Sequence, residues 1–168
     1  MALEGTYQPS SLDFVRDQVA LYESSAGTRG NTLAFTREQA GPRGTSLDDV
    51  RVPVVVVTMR GARSGSIRKI PLVRVEHSGR YALVASVGGA PRHPGWYFNL
   101  VSGPDEVTVQ DGPVPVAMTV REVVGRERRT WWDRAVAAFP PYAEYQQRTE
   151  RTIPVFVATP TAPGQGIR

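Results

Sequence analysis

Residues 52–77 read VPVVVVTMRGARSGSIRKIPLVRVEH, and they contain the clearest strand–turn–strand pattern of the chain. It opens with a run of valines, which is typical of a buried strand, and Pro53 stands near the strand's start, where a missing N–H is tolerated. Glycine and serine at 61–66 then predict a turn, and a second strand follows from Ile67 to His77. Two strands joined by a short turn predict an antiparallel hairpin.

The rest of the chain extends this pattern into a small antiparallel barrel. Ser78-Gly79 turns into a third strand from Tyr81 to Val87, and later strands are predicted at 106–110, 114–123 and 153–158. Helices are predicted at 11–25, from Pro94 to Leu100, at 126–139 and around Tyr142 and Tyr145. Because these helices do not alternate with the strands, the pattern does not favour a parallel doubly wound sheet. We predict one mainly β (α+β) domain over 1–168, with a long loop at 27–50, a barrel core at 51–160 and a tail at 161–168.

Composition excludes several classes of site. The chain has 168 residues, no cysteine and two histidines, so it offers no disulfide, no thiolate and no multi-histidine metal cage, and we predict no metal. No apolar run reaches about 18 residues, and the first ten residues lack the apolar core of a secretory signal. A cytoplasmic location is the expectation.

The net charge of +4 is concentrated in one segment. Residues 60–92 carry seven basic side chains against Glu76, which gives +6, and Arg60, Arg63, Arg68 and Lys69 cluster around the predicted turn. Such a block is either a solvated strand face or an anion site, since arginine binds phosphate and carboxylate through two parallel hydrogen bonds. With one interleaved aromatic residue and no RNA-binding signature, the block does not indicate a nucleic-acid partner.

Two later segments allow both a structural and a binding interpretation. The paired glycines at 88–89 either form a turn with positive φ or let a ligand approach the backbone closely. The aromatic cluster at 94–100 is either core or cofactor pocket, and Asn99 could satisfy backbone groups instead of a ligand. Neither a P-loop nor a G-x-G-x-x-G motif is present, and no carboxylate pair or Ser-His-Asp spacing is visible. If the protein is an enzyme, a bound cofactor therefore supplies the reactive chemistry.

Taken together, these segments resemble the deazaflavin-dependent nitroreductase family, which includes the F420H2-dependent quinone reductases. The motifs are Thr58-x-x-Gly61-x-Arg63-Ser64-Gly65-x-x-Arg68, Pro71-Leu72, Ala85-Ser86-x-Gly88-Gly89, His93-Pro94-x-Trp96-Tyr97-x-Asn99-Leu100 and Phe139-Pro140-x-Tyr142-x-x-Tyr145-Gln146, with Arg151 to Val155 closing the match. Members are split β-barrel proteins similar to FMN-binding oxidoreductases, occur mostly in actinobacteria and use the reduced deazaflavin coenzyme F420.

The resemblance implies a role for each matching residue. Arg63, Ser64 and Arg68, with Arg60 and Lys69 beside them, match the basic turn that holds the coenzyme's phosphate and oligoglutamate tail. The loop beside the coenzyme corresponds to Ser86, Val87, Gly88 and Gly89, and the segment near the deazaflavin ring to Pro94, Gly95 and Trp96. Tyr142, Tyr145 and Ser86 are the catalytic candidates, because a hydroxyl could orient the substrate or supply a proton. Val87, Gly95 and Phe139 replace a basic residue, a larger residue and a tyrosine of relatives, so the substrate cannot be copied from them.

The implied function is an F420H2-dependent reductase that transfers hydride to a small electron acceptor such as a quinone, an activated C=C bond or a nitroaromatic. The alternatives are a non-catalytic F420 carrier and an FMN-binding split-barrel oxidoreductase. Because split barrels of this kind often dimerise, a homodimer is a further expectation. Stable membrane insertion is not expected, although the N-terminal helix could make peripheral contact with the membrane's inner face.

Overall fold

Strands of one curled antiparallel sheet form the centre of the computed structural model, which describes residues 3–34 and 51–161. These strands are β1 (Thr32–Ala34), β2 (Arg51–Arg60), β3 (Ile67–Val73), β4 (Glu76–His77), β5 (Arg80–Val84), β6 (Val107–Gln110), β7 (Pro115–Glu122) and β8 (Val155–Pro160). Their order is β1-β2-β6-β7-β8-β5-β4, and β3 branches off by pairing with β2. The predicted antiparallel half-barrel is confirmed.

The valine run of β2 is buried because the strand is paired on both sides. Val54 to Arg60 pair with β3, in a register from Val54 opposite Val73 to Arg60 opposite Ile67. Along the opposite edge, Val56 to Met59 pair with β6. The exposed fraction of Val57 and Met59 is 0 %, so their side chains are fully removed from water. This double pairing makes β2–β3 the rigid base of the turn at 61–66.

Four α-helices lie within the described ranges: α1 (Asp13–Ser24), α2 (Gly95–Ser102), α3 (Gly125–Ala138) and α4 (Pro141–Gln147). A short 3-10 turn at Val87–Gly89 precedes α2. Each α-helix lies within a few residues of its predicted position. The longest of them, α3, has 14 residues, and no described helix is long and apolar enough to cross a membrane.

The N-terminal helix packs on the sheet through a small cluster of its own. Val19 and Tyr22 are buried against Val54 and Val56 of β2. The Tyr22 hydroxyl donates to the carbonyl oxygen of Gln110 (3.0 Å) and accepts the N–H of Gly112 (2.8 Å). These hydrogen bonds and the buried cluster hold α1 against β2 and the β6–β7 hairpin.

Helices α3 and α4 cover the other end of the sheet. Trp131 and Ala135 of α3 pack with Tyr142 and Tyr145 of α4 in one buried cluster, which also includes Val84 of β5. Arg80 and Arg134 stack over the Trp131 ring, at 5.5 and 4.6 Å from its centroid. The two tyrosines of α4, Tyr142 and Tyr145, are therefore anchored in the core by their contacts with α3.

The structure differs from the predicted elements in three places. Residues 32–34 form β1 on β2, so the segment 27–50 is not a loop throughout; a strand of three residues carries too few positions to show a period of two. The predicted strand from Ile67 to His77 is split into β3 and β4, and the third strand ends at Val84 instead of Val87. Residues 35–50 and 162–168 lie outside the described ranges, so most of the predicted loop and tail falls there.

Candidate active site

A single large cavity of about 1120 Å³ opens between α1, β3, the turn at 86–88, α2 and α4. Ligand pockets for drug-sized molecules usually measure about 300–1,000 Å³. This cavity therefore has room for a large ligand together with a smaller one. The β2–β3 turn, the paired glycines and the two tyrosines, which lie far apart in the sequence, all contribute to its walls.

The β2–β3 turn forms one rim of the cavity and is held by several hydrogen bonds. The N–H of Gly61 donates to Ser66 O (2.7 Å), and the N–H of Gly65 donates to Gly61 O (2.9 Å). Asn99 of α2 accepts the N–H of Ala62 with its side-chain oxygen at 2.9 Å. Asn99 thus satisfies a backbone group, as one of its two interpretations predicted, and it couples the turn to α2.

The basic block separates into paired and unpaired cations. Arg60 donates to both carboxylate oxygens of Glu106 at 3.0 Å, Lys69 pairs with Glu23, and Arg74 donates to Asp111 at 2.8 Å. By contrast, Arg63 and Arg68 line the cavity and form no ion pair or hydrogen bond with any described residue. Two of the unpaired cations, Arg63 and Arg68, therefore lie on the cavity rim, whereas Arg80 stacks over Trp131 and the exposed Arg92 does not line the cavity.

The glycine-rich turn after β5 forms a second part of the wall. Val87, Gly88 and Gly89 have φ values of 45°, 61° and 81°, all in the left-handed region. A Cβ added at Gly88 would meet nothing within 4 Å, whereas one at Gly89 would lie 2.5 Å from the carbonyl oxygen of Tyr145. Gly88 faces open space, and Gly89 permits close packing of the turn on α4.

Arg151 fixes this turn from behind, and sequence reasoning missed this role. Its Nη2 donates to Ala85 O (3.1 Å) and Ser86 O (2.8 Å), and its Nε donates to Ala90 O (2.8 Å). Its Nη1 lies 3.0 Å from Nδ1 of His93, which in turn stacks on the Tyr97 ring. Burial lowers the pKa of the Arg151 guanidinium. The one feature of the sequence that pointed to Arg151 was its place as the first residue of the last segment that matches the family. Its distance of 65 residues from Ser86 hid the contact.

Tyr142 and Tyr145 reach the cavity from α4. Tyr142 is 5 % exposed and packs on Phe139, with ring centroids 4.6 Å apart. Burial raises the pKa of the Tyr142 hydroxyl above its usual value, and burial also raises that of Tyr145, opposed by the charge of Arg148. Both phenols are therefore protonated at neutral pH and can donate a hydrogen bond into the cavity.

The remaining wall is largely apolar. Helix α1 contributes Phe14 and Val15, and Leu12 directly precedes the helix; the sequence did not indicate these three as site residues. The other apolar lining residues are Leu33, Ile70, Pro71, Leu72, Val73, Val84, Phe98 and Phe139. Pro94, Gly95 and Trp96 lie at the start of α2 on the same cavity, and a Cβ added at Gly95 would meet nothing within 4 Å. The missing side chain at Gly95 leaves space there.

Most of the predicted site residues meet in this one cavity, and three do not. Those that line it are Arg63, Ser64, Arg68, Ser86, Val87, Gly88, Pro94, Gly95, Trp96, Tyr142 and Tyr145. Arg60 lies outside, bound to Glu106 and the carbonyls of Gly65 and Glu4. Lys69 lies in a separate pocket of about 220 Å³ and stacks over Tyr7, while Gly89 packs on Tyr145. Neighbours in sequence on a strand point to opposite faces, which explains why Arg68 and Lys69 separate.

Comparison with known proteins agrees with this geometry. Residues 14–160 match the model of the F420H2-dependent quinone reductase family. An F420H2-dependent quinone reductase of Mycobacterium tuberculosis is 36 % identical over 110 residues, which cover 64 % of this chain and 73 % of that protein.

Two solved structures share the fold. One, titled as an F420-H2 dependent reductase, is 53 % identical and has a TM-score of 0.61; the match covers 66 % of this chain and 99 % of the other. A second, described as a domain-swapped dimer, is 42 % identical with a TM-score of 0.63, covering 85 % and 92 % of the two chains. The expected split-barrel, F420-dependent oxidoreductase is confirmed, and the chain belongs to the F420H2-dependent quinone reductase family.

Proposed function

We propose that the cavity holds reduced coenzyme F420 along the rim formed by Arg63 and Arg68 and leaves its apolar side for a quinone-like acceptor. The carrying observation is that these two arginines, alone among the cavity's described lining residues, present cationic groups without an ion-pair partner. A ligand with several anionic groups supplies the missing partners.

The donor set of the rim fits a phosphate or carboxylate. Besides the two guanidinium groups, the N–H groups of Arg63 and Ser64 have no backbone acceptor among the residues that the structure describes. Guanidinium forks and convergent N–H groups in a turn are typical ligands of such anions. Because Asn99 and the hydrogen bonds of Gly61 and Gly65 hold this turn, its donors are fixed before the ligand arrives.

When bound, the reduced deazaflavin supplies a hydride. The chain's own part is to bind and orient: Pro94, Gly95 and Trp96 border the open space at the start of α2, and the apolar wall from α1 and β3 excludes water. Tyr142, Tyr145 and Ser86 place hydroxyl groups at the same cavity, where a proton is needed when an acceptor oxygen gains negative charge.

The apolar half of the cavity favours an acceptor with a flat, largely apolar body. Leu12, Phe14 and Phe98 border it, and no described carboxylate lines it. Quinones fit this description best, while activated C=C bonds and nitroaromatics are further candidates. A strongly anionic acceptor would instead compete for Arg63 and Arg68.

Replacing Arg63 and Arg68 together with alanine tests the proposal. Each charge-assisted hydrogen bond contributes about 1.5–3 kcal/mol, so we expect coenzyme affinity to fall at least about 100-fold, measured through tryptophan fluorescence. The melting temperature should change little, because neither side chain bonds another described residue. Arg92→Ala is the matched control, since it removes an exposed arginine of the same block that does not line the cavity. Equal affinity of the double variant and the control would contradict the proposal.

The proposed proton donor Tyr142 has its own test. Tyr142→Phe should lower kcat for a quinone at least about 100-fold, the lower end of the range for general acid catalysis, and leave coenzyme affinity within about twofold. Tyr145→Phe is measured beside it, since only one of the two phenols needs to supply the proton. If neither change lowers kcat, the proton comes from Ser86 or from water.

Two alternatives predict different measurements. A non-catalytic carrier would bind F420 with the same arginine dependence but would not oxidise the reduced coenzyme with any of a panel of quinones and enones. An FMN-binding oxidoreductase would bind FMN at least as tightly as F420. Two arginines without an ion-pair partner on one rim favour F420, the ligand with more anionic groups.

We also propose that the chain assembles as a homodimer. Support comes from the solved structure described as a domain-swapped dimer, whose match covers 85 % of this chain. Light scattering should give twice the monomer mass of 18.4 kDa.

A cytoplasmic location with peripheral membrane contact is proposed as well. Leu12 and Phe14 expose 54 % and 69 % of their surface on α1 at the cavity mouth. Sedimentation with neutral lipid vesicles should recover the wild type and not the Phe14→Ser variant, and equal recovery would contradict the contact.

A further inference from the structure

Three consecutive backbone N–H groups, those of Ser86, Val87 and Gly88, have no acceptor among the described residues. The residues on either side do: Ala85 N–H donates to Pro154 O, and Gly89 N–H donates to Ser86 O. All three residues line the large cavity. Ser86 is 7 % exposed and Val87 is 52 % exposed, so these N–H groups run from the buried wall to the open part of the cavity, where a ligand can reach them.

The backbone conformation makes these N–H groups converge. Ser86 has right-handed dihedrals (φ −84°, ψ −42°), and Val87 follows with φ 45°. A right-handed residue followed by a left-handed one turns successive N–H groups toward one point and forms an anion-binding concavity. Valine is β-branched and rarely adopts a positive φ, so this conformation is held by its surroundings at a cost of about 1–3 kcal/mol.

Arg151 identifies the side on which the N–H groups lie. Its Nη2 binds the carbonyl oxygens of Ala85 and Ser86, which belong to the same peptide groups as the N–H of Ser86 and of Val87. In a trans peptide, the N–H points opposite to the C=O, and no described peptide bond is cis. The two N–H groups therefore point away from Arg151.

The same bonds strengthen the donors. A peptide group whose carbonyl accepts a hydrogen bond donates more strongly through its N–H, and here the bond on Ala85 and Ser86 comes from a cation. The third peptide group is also polarised, because Val87 O accepts the N–H of Ala90 at 3.1 Å. Among the described residues Arg151 has no carboxylate partner, so its charge acts on these peptide groups without neutralisation.

We propose that Arg151 is a positioning residue for the turn that the family resemblance puts beside the coenzyme: it holds and polarises the N–H groups of Ser86, Val87 and Gly88 so that all three bind one anionic oxygen. The oxygen comes from one of two sources: an oxygen of the bound coenzyme, or the acceptor oxygen on which negative charge develops. The choice between these sources rests on the proposed function, whereas the anion-binding property of the turn does not.

A matched pair of variants removes a single N–H. Ser86→Pro deletes the Ser86 donor at a φ of −84°, close to the value that proline requires, and Ser86→Ala removes the same hydroxyl but keeps the N–H. The residue before it, Ala85, continues from β5 and suits a following proline. The difference between the two variants is the contribution of the N–H.

Amide NMR with inorganic phosphate tests the turn without coenzyme. Phosphate should shift the Ser86, Val87 and Gly88 amide signals downfield in the wild type and in Ser86→Ala. The shifts of Val87 and Gly88 should fall at least about threefold in Ser86→Pro and in Arg151→Met, with partial recovery in Arg151→Lys. Absence of these shifts in the folded wild type overturns the proposal.

Coenzyme binding and turnover identify the source of the oxygen. If it belongs to the coenzyme, Ser86→Pro weakens F420 affinity at least about tenfold relative to Ser86→Ala. If it belongs to the acceptor, affinity is equal and kcat for a quinone falls at least about tenfold instead. Equal affinity and equal kcat of two folded variants overturn the role in the reaction, whereas a wild type that shows the phosphate shifts but binds no F420 overturns the proposed function alone.

Discussion

Gly88 and Gly89 are adjacent and both left-handed, yet they have different physical roles. Gly88 borders the cavity with free space at its Cα, and Gly89 touches the backbone of Tyr145. The sequence predicted close approach at this pair but could not say which glycine meets a ligand and which meets the protein. That distinction depends on α4, which begins more than fifty residues later.

Alanine at these two positions separates the roles. Gly89→Ala should lower the free energy of unfolding by at least about 3 kcal/mol, because the Cβ collides with Tyr145 O at 2.5 Å in a left-handed backbone. Gly88→Ala is the matched control. It should lower the free energy of unfolding by only about 1 kcal/mol, which is the cost of holding alanine in a left-handed conformation.

Urea denaturation measures both variants. A Gly89→Ala protein that is as stable as Gly88→Ala would show that the packing of the turn on α4 is looser than described.

The arginines show the same limit of sequence reasoning. Arg60, Arg63 and Arg68 are equivalent by charge and spacing, and all three were predicted to bind the coenzyme. Arg60 is paired with Glu106, which lies 46 residues away in the sequence. A pair this distant cannot be predicted from the residues around Arg60. Arg63 and Arg68 were predictable as cavity residues because the turn between two buried strands is itself local.

At the scale of elements, the β2–β3 turn and α2 act as one unit through Asn99. Its side-chain oxygen accepts the Ala62 N–H at 2.9 Å, and Asn99 also lines the cavity. The turn that carries Arg63 is thus braced by the helix that carries Gly95 and Trp96.

Two substitutions at Asn99 should separate its contribution to stability from its effect on coenzyme affinity. Asn99→Ala loses the hydrogen bond and about 1 kcal/mol of unfolding free energy. Asn99→Asp keeps an acceptor for Ala62 and should stay within about 0.5 kcal/mol of the wild type, but its negative charge should weaken F420 binding about tenfold. Thermal melting and fluorescence titration provide the two readouts. Tighter F420 binding by Asn99→Asp would exclude an anionic group at this rim.

Elements were predictable where the pattern is long and were missed where it is short. The valine run gave β2, and helical spacing of Leu12, Val15 and Val19 gave α1 to within two residues. The three-residue β1 was hidden in a polar segment. The role of α1 as a cavity wall was also hidden, because amphipathic spacing shows that a helix packs but not what it faces.

At the scale of the whole molecule, several buried tyrosines tie stability to high pH. Burial raises the pKa of Tyr22, Tyr81 and Tyr142 above the ordinary value of 10.0, and for Tyr81 the hydrogen bond to Asp111 adds to this. The folded state therefore keeps protons that the unfolded state loses above pH 10.

We expect the free energy of unfolding to be independent of these groups below pH 10 and to fall as pH rises above it. The slope is at most about 1.4 kcal/mol per pH unit for each tyrosine. Tyr142→Phe should make the decline shallower, since one such group is removed. Guanidinium unfolding at pH 8 to 11.5 provides the measurement, and an unchanged slope in the variant would place Tyr142 in contact with water.

The order of the strands has a consequence for how the protein is made. The last strand, β8, lies in the interior of the sheet, between β7 and β5. Arg151, which holds the cavity turn at 86–88, is likewise synthesised 65 residues after Ser86. During translation, β5 cannot pair with β8 until β6, β7, α3 and α4 have been made, so this part of the sheet and the cavity turn should form together once β8 has been synthesised.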